Sequence, residues 1–105
     1  MRLYQAIENG NGVSKVITAS AGTISFNTTK MHGTMRQVYI KATTDSTVFD
    51  VKFIDRKNRI VKHYRDEEGK INDFPVFPVD GIYTVVIENS TVDENYDILF
   101  VVEEG

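Results

Sequence analysis

The chain has 105 residues, of which 41% are apolar; it carries a formal net charge of −3 and contains no cysteine. This length and composition predict a single packed domain over residues 1–105 and exclude intrinsic disorder. The missing cysteines remove disulfides, thiolate metal sites and cysteine nucleophiles, and no apolar run approaches the roughly 20 residues that cross a bilayer.

In chain order, RLYQAIE and GVSKVITA read as short strands around Glu8-Asn9-Gly10-Asn11-Gly12, where glycine and asparagine take positive φ at little cost. GTISFNTT reads as a third strand with Ile24 and Phe26 inward, and KMHGTMR as a loop. In QVYIKAT, Val38, Ile40 and Ala42 share one face against Tyr39, Lys41 and Thr43. In STVFDVKFID, Phe49, Val51 and Phe53 oppose Asp50 and Lys52, the alternation of a half-buried antiparallel strand. The polar loop Asp55-Arg56-Lys57-Asn58-Arg59 then joins that strand to RIVKHY as a hairpin.

Both prolines lie in DFPVFPVDG. A Pro-x-x-Pro ligand carries flanking prolines and a basic residue in a flexible tail. Pro75-Val76-Phe77-Pro78 has neither and sits between strands. Proline cannot donate a ladder hydrogen bond, so this segment is expected at a sheet edge or a crossing between sheets. Alternation places Phe74, Val76 and Pro78 on one face and Pro75, Phe77 and Val79 on the other. One of the two phenylalanines is therefore left for a neighbour to cover.

GIYTVVIEN puts Tyr83, Val85 and Ile87 on one face, with Ile82 and Val86 making the other apolar enough for a strand buried on both sides. After the polar connector Asn89–Glu94, NYDILFVVEE alternates Tyr96, Ile98, Phe100 and Val102 against Asp97, Leu99 and Val101. About eight or nine strands, with turn signals roughly every 8 to 12 residues, predict an all-β, single-domain antiparallel β-sandwich, immunoglobulin-like or jelly-roll-like. Its expected core is Val38, Ile40, Phe49, Val51, Phe53, Tyr83, Val85, Ile87, Ile98 and Phe100.

Chemistry is sparse. His32 and His63 have no nucleophile motif beside them, and no phosphate loop, GxSxG or HExxH occurs, so the chain reads as a non-enzyme. The clusters Asp66-Glu67-Glu68-Gly69 and Asp93-Glu94-Asn95-Tyr96-Asp97 offer loop carboxylates of the kind calcium takes, but they lack EF-hand spacing and read first as solvated turns, with no metal or cofactor expected. Tyr4, Tyr39 and Tyr64 are the candidates for a sugar-stacking platform, which tryptophan, absent here, usually builds.

Charge is uneven along the chain: residues 1–51 sum to +2, residues 52–70 to +3 and residues 71–105 to −8. Such a distribution lacks the broad positive field a nucleic acid partner needs. It reads either as solvated strand faces or as one basic and one acidic patch suited to head-to-tail contact.

The stretch QVYIKATTDSTVFDVKFIDRKNRIVKHYRDEEG followed by GIYTVVIENSTVDENYDILFVVE resembles small β-sandwich virion proteins of tailed bacteriophages. The likeness lies in the hairpin with its Asp-Arg-Lys-Asn-Arg loop, the Gly-Ile-Tyr strand, the polar connector and the closing apolar strand. Immunoglobulin-like modules and pre-peptidase domains share the Gly-x-Tyr-x-Val-x-Ile pattern. The resemblance implies a capsid decoration, cement or minor head or tail protein, made in the host cytoplasm and located in the virion, with no catalytic residue. Its expected partners are capsid or tail subunits and copies of itself, with no nucleic acid and no membrane. The domain stands without an attached protease or adhesin, which favours a virion part over an enzyme accessory domain. A carbohydrate-binding or adhesive module is the alternative. The partner-binding residues expected are Arg56, Lys57 and Arg59 in the hairpin loop, Phe74, Pro75, Phe77 and Pro78 on the edge, and Asp93, Glu94 and Asp97.

Overall fold

The computed structural model describes residues 3–5 and 15–105, with side chains from residue 17 onward. The ten strands among them are β1 (Leu3–Gln5), β2 (Lys15–Ala19), β3 (Ile24–Asn27), β4 (Met31–Ala42), β5 (Val48–Ile54), β6 (Ile60–Glu68), β7 (Lys70–Asp73), β8 (Phe77–Gly81), β9 (Thr84–Glu88) and β10 (Glu94–Glu104). They form two antiparallel sheets, the predicted β-sandwich. In the larger sheet β10 and β4 are central, β1 and β2 lie along the outer side of β10, and β7 and β8 along the outer side of β4. The smaller sheet has the order β3-β9-β5-β6.

Alternation produces the core directly. The inward residues of β4, β5, β9 and β10, among them Val38, Ile40, Phe49, Val51, Phe53, Val85, Ile87, Ile98 and Phe100, are fully buried between the sheets, and Tyr83 is nearly so. Phe53 of the small sheet packs on Phe100 of the large one with ring centroids 5.1 Å apart, and on Phe77 and Tyr64 at 6.2 and 6.5 Å.

Two expectations are corrected. KMHGTMR is not a loop: it opens β4, with Met31 and Met35 fully buried. Its alternation is hidden because β4 carries one extra residue between Met35 and Gln37, opposite Val101 and Val102 of β10, so the inward set slips by one at Arg36. Among the described residues, the first two strands both run along β10, and the turn at 8–12 lies outside them. The Gly-Ile-Tyr strand is central in its sheet but not buried on both sides, since β9 begins only at Thr84 and Ile82 is 51% exposed. The strand count among the described residues agrees with the expected eight or nine when the proline edge, β7 and β8, is taken as one.

Candidate interaction surfaces

The proline segment forms the predicted edge. β7 ends at Asp73 opposite Val38 and β8 starts at Phe77 opposite Met35, so the edge spends four steps where β4 spends three and bulges outward at residues 74–76. Alternation along the edge is unbroken from Ile71 to Val79 and settles the two phenylalanines: Phe77 turns inward onto Phe53, while Phe74 and Val76 stand 66% and 73% exposed. Pro75 is half-buried and Pro78 exposed.

β6 borders the same flank, tied to the edge by the Tyr64 hydroxyl, which donates to Asp73 Oδ2 at 2.8 Å. Among the described residues β6 pairs with β5 alone, and it carries extra residues near Val61 and near Arg65–Asp66. Asp66 has φ +53 and its N–H is held by Asp50. Bulges on one edge and prolines on the other blunt both against strand addition. The flank therefore offers side chains, not backbone: Phe74 and Val76, with Ile60 and Val61 exposed on β6.

The strand directions put the loops at two opposite ends. One end gathers the 55–59 hairpin loop, residues 28–30 and residues 81–83; the other gathers 20–23, 43–47, 68–69 and 89–93. The hairpin loop is ordered by Asp55, whose Oδ1 accepts the N–H groups of Lys57 and Arg59 at 2.9 Å. Arg59 Nε binds Asp55 Oδ2 at 2.8 Å, so Arg59 is engaged within its own loop. Hydrogen bonding, first of all from the Arg59 N–H, holds the Asp55 carboxyl below the usual carboxylate range. Arg56 and Lys57 project into solvent; Arg56 meets Asp80 loosely at 3.8 Å and also lies over Gly81.

The acidic trio is not brought together. Glu94 is buried, its Oε1 accepting the Thr44 N–H at 3.2 Å and its Oε2 the Thr47 hydroxyl at 2.7 Å, which staples loop 43–47 to the start of β10. Asp97 is half-buried on the outer face of the large sheet beside Lys41, strand-paired and away from the loop. Only Asp93 stands exposed at this end, where Asp45 and Glu68 join it. Asp45 was missed because it belongs to no acidic run; topology alone places it beside Glu68 of the 66–68 cluster.

Of the three tyrosines read as sugar-platform candidates, one is withdrawn. Tyr64 is buried and bonded to Asp73, with burial pushing its hydroxyl well above the usual tyrosine value. Tyr39 is half-buried, and the side chain of Tyr4 lies outside the described residues. No group of three or more metal-ligating side chains occurs among the described residues.

The Glu94 staple has a pH signature. Its carboxyl is held below the ordinary glutamate value of 4.5, chiefly by the Thr47 hydroxyl. A lowered folded pKa stabilises above the unfolded value, and that stabilisation is lost as pH falls through the folded one. Glu94→Gln is expected to destabilise at neutral pH and to converge on the parent protein once the pH has fallen below the lowered Glu94 pKa, read by urea denaturation across an acid pH series.

No protein-family model matches the chain, and no curated protein matches it in sequence. Among solved structures it is similar to the carbohydrate-binding module CBM36 in complex with calcium and xylotriose. There the identity is 11%, the coverage 96% of this chain and 98% of that one, and the TM-score 0.46. It is also similar to the structure of infectious bursal disease virus Gt strain, at 7% identity over 95% of this chain and a TM-score of 0.45. In that case it spans 30% of the other chain. By fold the protein is an antiparallel β-sandwich; neither likeness assigns it a ligand or a residue role.

Proposed function

We propose that this chain is a non-enzymatic structural protein of a virion, a capsid decoration or minor head or tail protein that acts through protein contacts. The observation that carries the reading is the Phe74–Val76 bulge. A large aromatic and a valine are displayed on a segment whose prolines and bulged neighbour prevent sheet extension. Apolar side chains shown on a blunted edge are what a docking surface for a folded partner requires. The hairpin-loop cations Arg56 and Lys57 supply the charged rim. The sugar-binding alternative loses one of its three candidate rings, since Tyr64 is buried.

Binding of the purified protein to undecorated capsid shells tests this. Phe74→Asp is expected to weaken binding by about tenfold or more while changing folding stability by under about 0.5 kcal/mol, since the ring is 66% exposed. Unchanged affinity in the variant would remove Phe74 from the contact. Failure of the parent protein to bind shells at any ionic strength counts against the reading itself.

A further inference from the structure

We propose that the two ends of the sandwich are complementary, so that the β9–β10 tip of one copy seats in a cleft at the opposite end of the next. The inference rests on the reading that this chain works by protein contact, and it names a second copy as occupant. The cleft, of about 300 Å³, is lined by Lys30, Arg56, Gly81 and Ile82. Gly81 and the half-exposed Ile82 give it an apolar floor, and the two cations form its rim. Arg56 keeps donors to share, because its ion pair with Asp80 is loose at 3.8 Å.

The tip carries the matching features. Val92 is 60% exposed, next to the exposed Asp93. The backbone that presents them is pinned: Asp93 N–H donates to Ala19 O at 2.9 Å, Ser90 N–H to Gly22 O at 3.1 Å and Glu94 N–H to Thr91 O at 3.3 Å. Asn89 and Asp93 hold the turn with φ +57 and +61. An apolar knob with an adjacent carboxylate, held rigid before contact, meets an apolar floor with a cationic rim and loses little entropy on docking. Asp45 and Glu68 at the same end are balanced by Lys41 and Lys70, so the tip's complementary charge is that of Asp93; Asp80 is the opposing charge at the cleft.

The contact is heterologous, tip to cleft, so it does not close between two copies and builds rows or rings. An end face within 28 × 22 Å lies below the roughly 800 Å² per partner of a standard interface, so each contact is weak in solution. It gains effect where copies are held close on a repeating surface.

The experiment records amide shifts of the full chain as it is concentrated to about 1 mM at low salt, a range that reports millimolar contacts. Sedimentation of two variants follows. Shifts are expected at Lys30, Arg56, Gly81, Ile82, Val92 and Asp93, and are expected to vanish at high salt. Arg56→Glu spoils the cleft and leaves the tip; Val92→Ser with Asp93→Asn spoils the tip and leaves the cleft. Each alone is expected to weaken self-association by about tenfold or more, while an equimolar mixture recovers a pair that grows no further. Shifts absent or clustered elsewhere, a variant that associates like the parent, or a mixture that recovers nothing overturns the proposal. Normal amide spectra of the variants certify their folding. Capsid binding is read separately, so a chain that self-associates without binding shells sinks only the virion reading.

Discussion

Replacing Phe53 with alanine is expected to lower the free energy of unfolding by about 3 to 5 kcal/mol, measured by urea or guanidinium denaturation at neutral pH. The ring is fully buried and joins the sheets, touching Phe100 of β10, Phe77 of β8 and Tyr64 of β6. Its removal forfeits the transfer free energy of a large side chain and leaves a cavity. The surrounding rings sit on separate strands whose registers are fixed by their own ladders, so they cannot move in to fill it. Phe77→Ala should lose less, because that ring is only half-buried. A loss under about 1 kcal/mol for Phe53→Ala would mean that the sheets do not meet there.

Gly33→Ala is expected to be the most damaging glycine substitution, and to act on the closing strand. Gly33 has φ +137, and a Cβ built there would lie 2.0 Å from the carbonyl oxygen of Glu103 and 2.6 Å from the Gly105 nitrogen. Backbone strain alone costs about 1 to 3 kcal/mol. The clash with backbone adds to it, since β10 must withdraw from β4 to make room. Gly81→Ala is the control: φ there is +97, but the nearest atom is the flexible Arg56 Nη1 at 3.6 Å, so strain acts without collision. Thermal unfolding should place Gly33→Ala clearly below Gly81→Ala; equal melting temperatures would contradict the close crossing of β4 and β10.

Much of this fold was legible from period two. Strands with unbroken alternation, Val38–Ala42, Phe49–Phe53 and Tyr96–Val102, gave their inward residues correctly because a residue's face follows from its parity. The segment Met31–Gln37 was misread for the same reason, because a bulge changes parity and Gly33 mimics a loop breaker. What Gly33 permits, the passage of Glu103 within van der Waals reach, involves a partner seventy residues away and leaves no local mark. The edge was readable from its prolines. Which phenylalanine faced outward was not, because parity separates the two faces of the edge and only its pairing with β4 shows which one meets the core.

The candidate surfaces were half legible. Charge in sequence marked the hairpin loop and the 93–97 cluster but could not show which charges are already spent. Arg59 is engaged by Asp55 and Glu94 by Thr44 and Thr47. The first is a local arrangement that orders its own turn; the second staples two loops far apart in sequence. Arg56, Lys57 and Asp93 remain available from the original sets, and topology sends them to opposite ends of the sandwich.

The virion role is tested most directly by the protein composition of purified particles from the source that encodes this chain. Quantitative mass spectrometry with cross-linking is expected to find it at a fixed copy number per particle, with links to a shell or tail subunit from Lys57 on the hairpin loop. Particles that lack the chain, with the protein recovered only free, would contradict it.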